Sequence, residues 1–272
     1  MAFAEHPNFQ PPADREATIW RYMDLAKFLS LLDRSSLYFP RVDHLAAGDP
    51  FEGYYTKLNA RIGKLTYKDV APELLKEMKL EDEATFNAVW EFHRQSGRLA
   101  KAMRETTYVN SWHVLNHESA AMWTLYLKSA DGIAVQSTYK RLLDSFSAYK
   151  EFEIHVGLIQ YIDYEREAIP PGQAFYPIMH KRKSFEHEHE LRAVIWTVEG
   201  NKNQLPIQNP DVNRFKDIPG LYVPVELSTL IKAIYVAPSA PKWIVDLLNS
   251  LVKRYSLDKP IVHSELAASP LE

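Results

Sequence analysis

The stretch from Lys181 to Trp196, KRKSFEHEHELRAVIW, is the densest set of residues able to do chemistry. Three basic residues lead into Glu186, Glu188 and Glu190, which alternate with His187 and His189. The run from Leu191 onward reads as a buried strand. A carboxylate at the threshold of a core, shielded from water, stabilises positive charge that develops in a transition state. If the stretch is extended, alternation places the three glutamates on one face and the two histidines on the other. Like charges so close raise one another's pKa, so that one is protonated or acts on an acceptor. The competing reading is a solvated strand entry, with the basic residues 181–183 as screening partners.

Other candidates lie elsewhere in the chain. Arg21 follows Trp20 in an apolar segment. Its guanidinium offers a planar donor fork to a phosphate, or it forms an internal ion pair with Glu52 or Glu190. His113, in Ser111-Trp112-His113, is either a site residue or a satisfied core histidine. Trp112, Trp123 and Tyr126 stack on a ligand or fill the core. In Asp49-Pro50-Phe51-Glu52-Gly53 two carboxylates flank a proline-fixed turn, which makes a rigid site edge. Asp49, Glu52, Glu188 and Glu190 also form a set of hard oxygen ligands for Mg²⁺, with Lys183 on a phosphate, as a nuclease or phosphohydrolase needs. Their spacing carries no metal signature. His187, His189 and His113 offer a zinc set whose first two members face away from the glutamates.

The elements that must position these residues follow from periodicity. Ile19 to Met23 reads as a strand, and Asp24 is a good N-cap for the helix LAKFLSLLD, whose Phe28, Leu31 and Leu32 share a face. SLYFPRVD, TTYVNSWHV, GIAVQST, FEIHVGLIQYID and LRAVIWTVE read as strands, and LSTLIKAIYVAP ends in one. ESAAMWTLYLK, apolar on two sides, reads as a mostly buried helix. Residues 71–105 are helical and highly charged, and read as an insertion of two or three helices. Pro241 opens the helix KWIVDLLNSLVKRYSL, and PIVHSEL suits an edge strand. YEREAIPPGQAFYP and the polar segment 200–220 read as loops. The expected plan is an arm over residues 1–18, one α+β domain over 19–266 and a tail over 267–272.

Composition narrows the function classes. The 272 residues carry a formal net charge of −3, which argues against a generally basic nucleic-acid binder. An apolar content of 46% supports a sizeable core. No cysteine is present, so disulfides, thiol nucleophiles and cysteine zinc sites are excluded. No apolar run reaches the roughly 18 residues that cross a bilayer, and the first residues lack the apolar stretch of a signal peptide. The expectation is therefore a cytoplasmic protein with no membrane partner. No G-x-G-x-x-G after a strand and no Walker A motif is found.

IWRYMDLAKFLSLLDRSSLYF, GDPFEG, SWHVLNHESAAMWTLYLKSADGIAVQS and KRKSFEHEHELRAV, in this order, resemble a widespread bacterial family of unknown function, domain-of-unknown-function family 2971. The likeness spans roughly residues 19 to 240 and implies no reaction. The order of elements is also similar to the ADP-ribosyltransferase superfamily. There a first strand carries a basic residue for the dinucleotide, which Arg21 matches. A middle strand carries a Ser-x-Ser-type triplet followed by a helix and a short strand, which Ser111-Trp112-His113, the helix to Lys128 and GIAVQS match. A late strand opens on Glu-x-Glu, which Glu188-His189-Glu190 matches. His113 departs from the triplet, since it replaces the second hydroxyl residue.

This resemblance implies a split, mixed sheet with flanking helices and NAD as a substrate. It places Glu190 in the catalytic slot with Glu188 beside it, and Arg21, Ser111, His113, Trp123 and Tyr126 around the dinucleotide. The acceptor stays open between protein, nucleic acid, small molecule and water. A bacterial toxin or defence effector fits such an activity. The competing expectations are the metal-dependent nuclease and a non-enzymatic domain that senses a nucleotide or binds a protein.

Overall fold

Asp24 ends strand β1 (Thr18–Asp24) and caps helix α1 (Leu25–Arg34), its carboxylate accepting the Lys27 N–H. Phe28, Leu31 and Leu32 are the buried face of α1, as the spacing predicts. The computed structural model describes residues 3–126, 131–170, 174–198 and 217–268. Strand β2 (Ser36–Pro40) is followed by a 3-10 turn over Val42–Ala47, then by α2 (Lys57–Ile62), α3 (Pro72–Glu77) and the long α4 (Glu83–Thr106). Strand β3 (Thr107–Val114), α5 (Ala120–Tyr126), β4 (Gly132–Thr138) and α6 (Tyr139–Ser145) come next. The remaining elements are β5 (Ile154–Leu158), β6 (Gln160–Ile162), α7 (Tyr176–Met179), β7 (His180–Arg182), β8 (Glu190–Trp196), β9 (Gly220–Pro224), α8 (Leu227–Leu230), β10 (Ala233–Val236), α9 (Lys242–Arg254) and β11 (Ile261–His263).

The fold is α+β around a mixed sheet of order β11-β10-β4-β1-β3-β8-β5. Only β10 and β11 run parallel within it. Strand β1 pairs with β4 from Thr18 to Asp24, and β3 pairs with β8 from Thr107 to His113. Between β1 and β3, however, the ladder holds only Ile19 to Val114 and Trp20 to His113. The sheet therefore splits beyond Trp20. The Ser111 carbonyl accepts from the Arg21 side chain at 2.7 Å. β2 and β9 form a separate two-stranded sheet.

One large core holds the inner residues of α1, β1, β4, α6, β10 and α9. A second, around Val42, Met103, Val109, Ile178 and Val194, joins α4 and α7 to the sheet. The segment 71–105 carries a core of its own, in which Phe86 stacks on Trp90 with centroids 4.2 Å apart. That core is what holds this charged stretch together as a helical layer. Among the described residues no helix is long and apolar enough to cross a membrane.

Four expectations change. The arm is packed from Phe3 onward: the Ala4 N–H reaches the Ile154 carbonyl, the Leu158 N–H reaches Gln10, and Phe9 is buried among His6, His155 and Phe175. Two phenylalanines supply the apolar anchor that an arm lacks. FEIHVGLIQYID breaks into β5 and β6, which join different sheets. Helix α5 buries Met122 and Trp123, while Leu125 and Tyr126 are exposed. Its expected last residues, 127 and 128, lie outside the described residues, as do the Pro-Pro-Gly turn from 171, the loop 199–216 and the tail from 269. The end of the segment read as loop, from Gly220, begins β9.

Candidate functional site

The glutamate cluster is built by a turn, which corrects the expected strand alternation. Lys183–Glu188 form a 3-10 helix, and His189 takes the left-handed conformation at φ 40° with its N–H on the Glu186 carbonyl. The strand begins only at Glu190. The turn sends Glu186 to solvent and Glu188 and Glu190 inward. Glu188 and Glu190 converge on Lys181, whose Nζ lies 2.6 Å and 3.2 Å from them and 3.8 Å from Glu52. Glu190 Oε1 accepts from Arg192 Nε at 2.7 Å and from Ser111 Oγ at 2.5 Å. Arg192 Nη1 donates to Glu52 and to the Ile178 carbonyl, each at 2.7 Å. Arg182 binds Asp49 at 2.6 Å.

The network drives its two glutamates apart. Burial works against the charge of Glu190, which is 4% exposed, but Arg192, Lys181 and the Ser111 hydroxyl outweigh it and hold the carboxyl well below the usual range. At Glu188 burial prevails over Lys181, and the nearby charge of Glu190 adds to it, so its pKa is raised. Burial also opposes the charge of Lys181, yet Glu190, Glu52 and Glu188 keep it protonated. Environments that separate two carboxyl groups in this way assign them different roles.

The opening between β1 and β3 becomes a cleft of about 680 Å³ that reaches this network. Arg21, Ser111, His113, Tyr126, Asp49, Glu52, Glu188 and Glu190 all line it. Arg21 does not form the expected ion pair: Arg192 takes both Glu52 and Glu190. Among the described residues no carboxylate lies within ion-pair distance of Arg21, and burial lowers its pKa only to about 10, so it stays charged at neutral pH. The His113 Nδ1–H donates to the Glu188 carbonyl, which leaves Nε2 a buried lone pair without a partner among the described residues. Burial lowers its pKa and keeps it neutral. Across the cleft mouth Tyr38 and Tyr222 pack 5.0 Å apart, with Arg34 over the Tyr222 ring at 4.3 Å. The Tyr38 ring lies over Gly220, where a methyl would meet its Cζ at 2.2 Å.

Two candidates fall outside. Trp123 is a core residue: it is 3% exposed, meets Tyr22 edge-on and donates Nε1–H to Glu118. An indole with both its ring and its N–H satisfied inside has nothing left for a ligand. Lys183 points to solvent from the 3-10 helix and does not line the cleft, whereas Lys181, two residues earlier, does. Lys181, Arg182 and Arg192 were missed as site residues. Arg192 had a legible signal, a basic residue two positions after Glu190 in a strand and hence on the same face. Lys181 was legible only as a screening partner of the nearby glutamates. Among the described residues no three His, Asp or Glu side chains come together to hold a metal, because each of the four carboxylates faces an arginine or lysine. No protein-family model matches the chain, and no curated protein matches its sequence.

Proposed function

We propose that the protein cleaves the nicotinamide–ribose bond of NAD, as ADP-ribosyltransferases do, in the cleft between β1 and β3. The observation that carries the reading is the pair Glu188 and Glu190, one raised and one depressed in pKa, beside Arg21, which has no carboxylate partner among the described residues. Arg21 holds the pyrophosphate by charge-assisted hydrogen bonds, and Tyr126 stacks on a ring of the dinucleotide. As the bond from the ribose C1′ to the pyridinium nitrogen breaks, its electron pair passes to that nitrogen and neutralises it. Positive charge spreads over the sugar and faces the ionised Glu190, held in place by Ser111 and Arg192. Water or an acceptor hydroxyl attacks C1′, and its proton passes to Glu188, the more basic carboxylate.

The acceptor is a protein, a nucleic acid, a small molecule or water, and a cytoplasmic toxin or defence effector is the setting we favour. A second reading has its own support. Glu190 already answers to two cations, which blunts its effect on a developing charge and suits a site that binds a nucleotide without turnover. The Mg²⁺ reading gains no support from four carboxylates that are all paired with cations. The test is release of nicotinamide from NAD in the presence of a chelator. Turnover that is lost in Glu188→Gln supports the transferase reading. Saturable NAD binding with no nicotinamide released overturns it in favour of the sensor, and turnover only with added Mg²⁺ overturns it in favour of the nuclease-like enzyme.

A further inference from the structure

A second cavity of about 580 Å³ lies between α4 and the segment from Pro50 to Lys64, apart from the glutamate network. Its walls include three aromatic rings, Phe51, Tyr54 and Tyr55, and three cations, Lys57, Lys64 and Arg94, and among the described residues no aspartate or glutamate. Outside the walls Glu165 pairs with Lys57 and Arg61, and Glu91 pairs with Arg94. Lys64 has no ion pair among the described residues and is exposed. Arg104 covers one face of the Tyr54 ring at 4.2 Å. The His93 Nδ1, shielded from water at this wall, has no partner among the described residues. Gly97 is an exposed residue of α4 at the edge of the cavity, and a Cβ there would meet nothing within 4 Å. The cavity is of the size that holds small ligands. Its pairing of aromatic rings with cations, of which Lys64 has no ion pair among the described residues, fits one ligand chemistry, a flat heterocycle that carries phosphate.

We propose that this second cavity binds a nucleoside 5′-phosphate, with the base against the Tyr54 and Tyr55 rings and the phosphate on Lys64, Lys57 and Arg94. The phosphate draws on Lys64 first, since the other two cations share their charge with glutamates. The base meets the aromatic rings. The source is a free nucleotide or the phosphorylated end of a single strand. The turn 49–54 is a common wall of both cavities: Asp49 and Glu52 line the first, while Pro50, Phe51 and Tyr54 line the second. The inference does not depend on NAD cleavage.

The experiment is a calorimetric titration of the full chain with AMP at low salt, in the wild type and in two variants. Gly97→Leu starts a side chain in open space at the edge of the cavity, and a helix interior favours leucine over glycine, so this protein melts no lower than the wild type. Lys64→Glu reverses the free charge at an exposed position. Both variants weaken AMP binding by about tenfold or more, the scale of one lost stacking or phosphate contact. In the wild type, adenosine and inorganic phosphate each bind at least about tenfold more weakly than AMP. A 5′-phosphorylated oligothymidylate that binds more tightly than its unphosphorylated form identifies a strand end as the source; equal binding of the two oligonucleotides beside tight AMP binding identifies the free nucleotide. An AMP isotherm unchanged in both variants, or no saturable AMP binding in the wild type, overturns the proposal. Nicotinamide release is measured separately, so its absence leaves the AMP result readable.

Discussion

Replacing Glu190 by glutamine tests both the stability and the chemistry assigned to the ion network. The amide is nearly isosteric, but it must turn its NH₂ toward either Arg192 and Ser111 or Lys181, all of which are donors. The cluster of Lys181 and Arg192 with Glu52, Glu188 and Glu190 goes from three negative charges against two positive to two against two. Arg192 keeps Glu52 and the Ile178 carbonyl, and Lys181 keeps Glu188. The loss therefore sits at the low end of the range for a broken buried pair, about 3 kcal/mol. For a chain of this size that lowers the melting temperature by roughly 6–12 °C. The sign with pH follows from the depressed pKa. The wild-type advantage is complete above the unfolded glutamate value of about 4.3 and fades as pH falls through the lower folded value. Thermal melts of both proteins across pH 3 to 7, roughly the span of that titration, read the difference directly. Nicotinamide release falls by about 10²–10³ if the carboxylate faces the developing sugar cation. Equal melting at neutral pH refutes the account of the network, and an equal rate removes Glu190 from the mechanism.

Glu188→Gln keeps the melting temperature close to wild type, because Lys181 retains Glu190, and lowers the rate by about 10²-fold. The acid limb of the wild-type pH–rate profile lies above the ordinary glutamate value, since the Glu188 pKa is raised, and it is absent in this variant; a limb that persists assigns the proton elsewhere. Arg21→Gln raises KM for NAD by about 10- to 100-fold with little change in kcat, the scale of a lost charge-assisted hydrogen bond to a bound phosphate; an unchanged KM removes it from the site. Gly157→Ala puts a methyl within 2.7–2.8 Å of the Phe9 backbone and costs about 1–3 kcal/mol as overpacking. Limited proteolysis then cuts first within the N-terminal segment, and a wild-type digestion pattern contradicts the packing described. Lys79→Asn with Glu81→Gln leaves turnover unchanged, because both residues lie on the exposed side of the helical layer and asparagine tolerates the φ of 56° at position 79; a large loss of rate contradicts that separation.

Local sequence determined most of the elements. Alternation, helical spacing and the Asp24 cap act over a few residues, so β1, α1, β3, β4, β8, α9 and the helical insertion were legible. The meeting of Arg21, Ser111 and Glu190 was an expectation of the resemblance to the ADP-ribosyltransferases, not of the residues by themselves. The turn at 183–189 was not legible, because EHEHE alternates like a strand and only the left-handed His189 ends that reading. β9 was missed because a short strand in a two-stranded sheet is stabilised by its partner, here β2, far away in the chain. The identity of the charges that meet was decided by tertiary structure alone. Lys181 was legible as a screening partner of the nearby glutamates, but nothing near it foretells that it is buried and meets Glu52 as well, and nothing near Arg21 foretells that Arg192 will take the carboxylates first. The reason is that an ion pair is set by distance in space and by how far water is excluded, and both are fixed only when β1 and β3 part and the turn from 183 to 189 folds back over the opening.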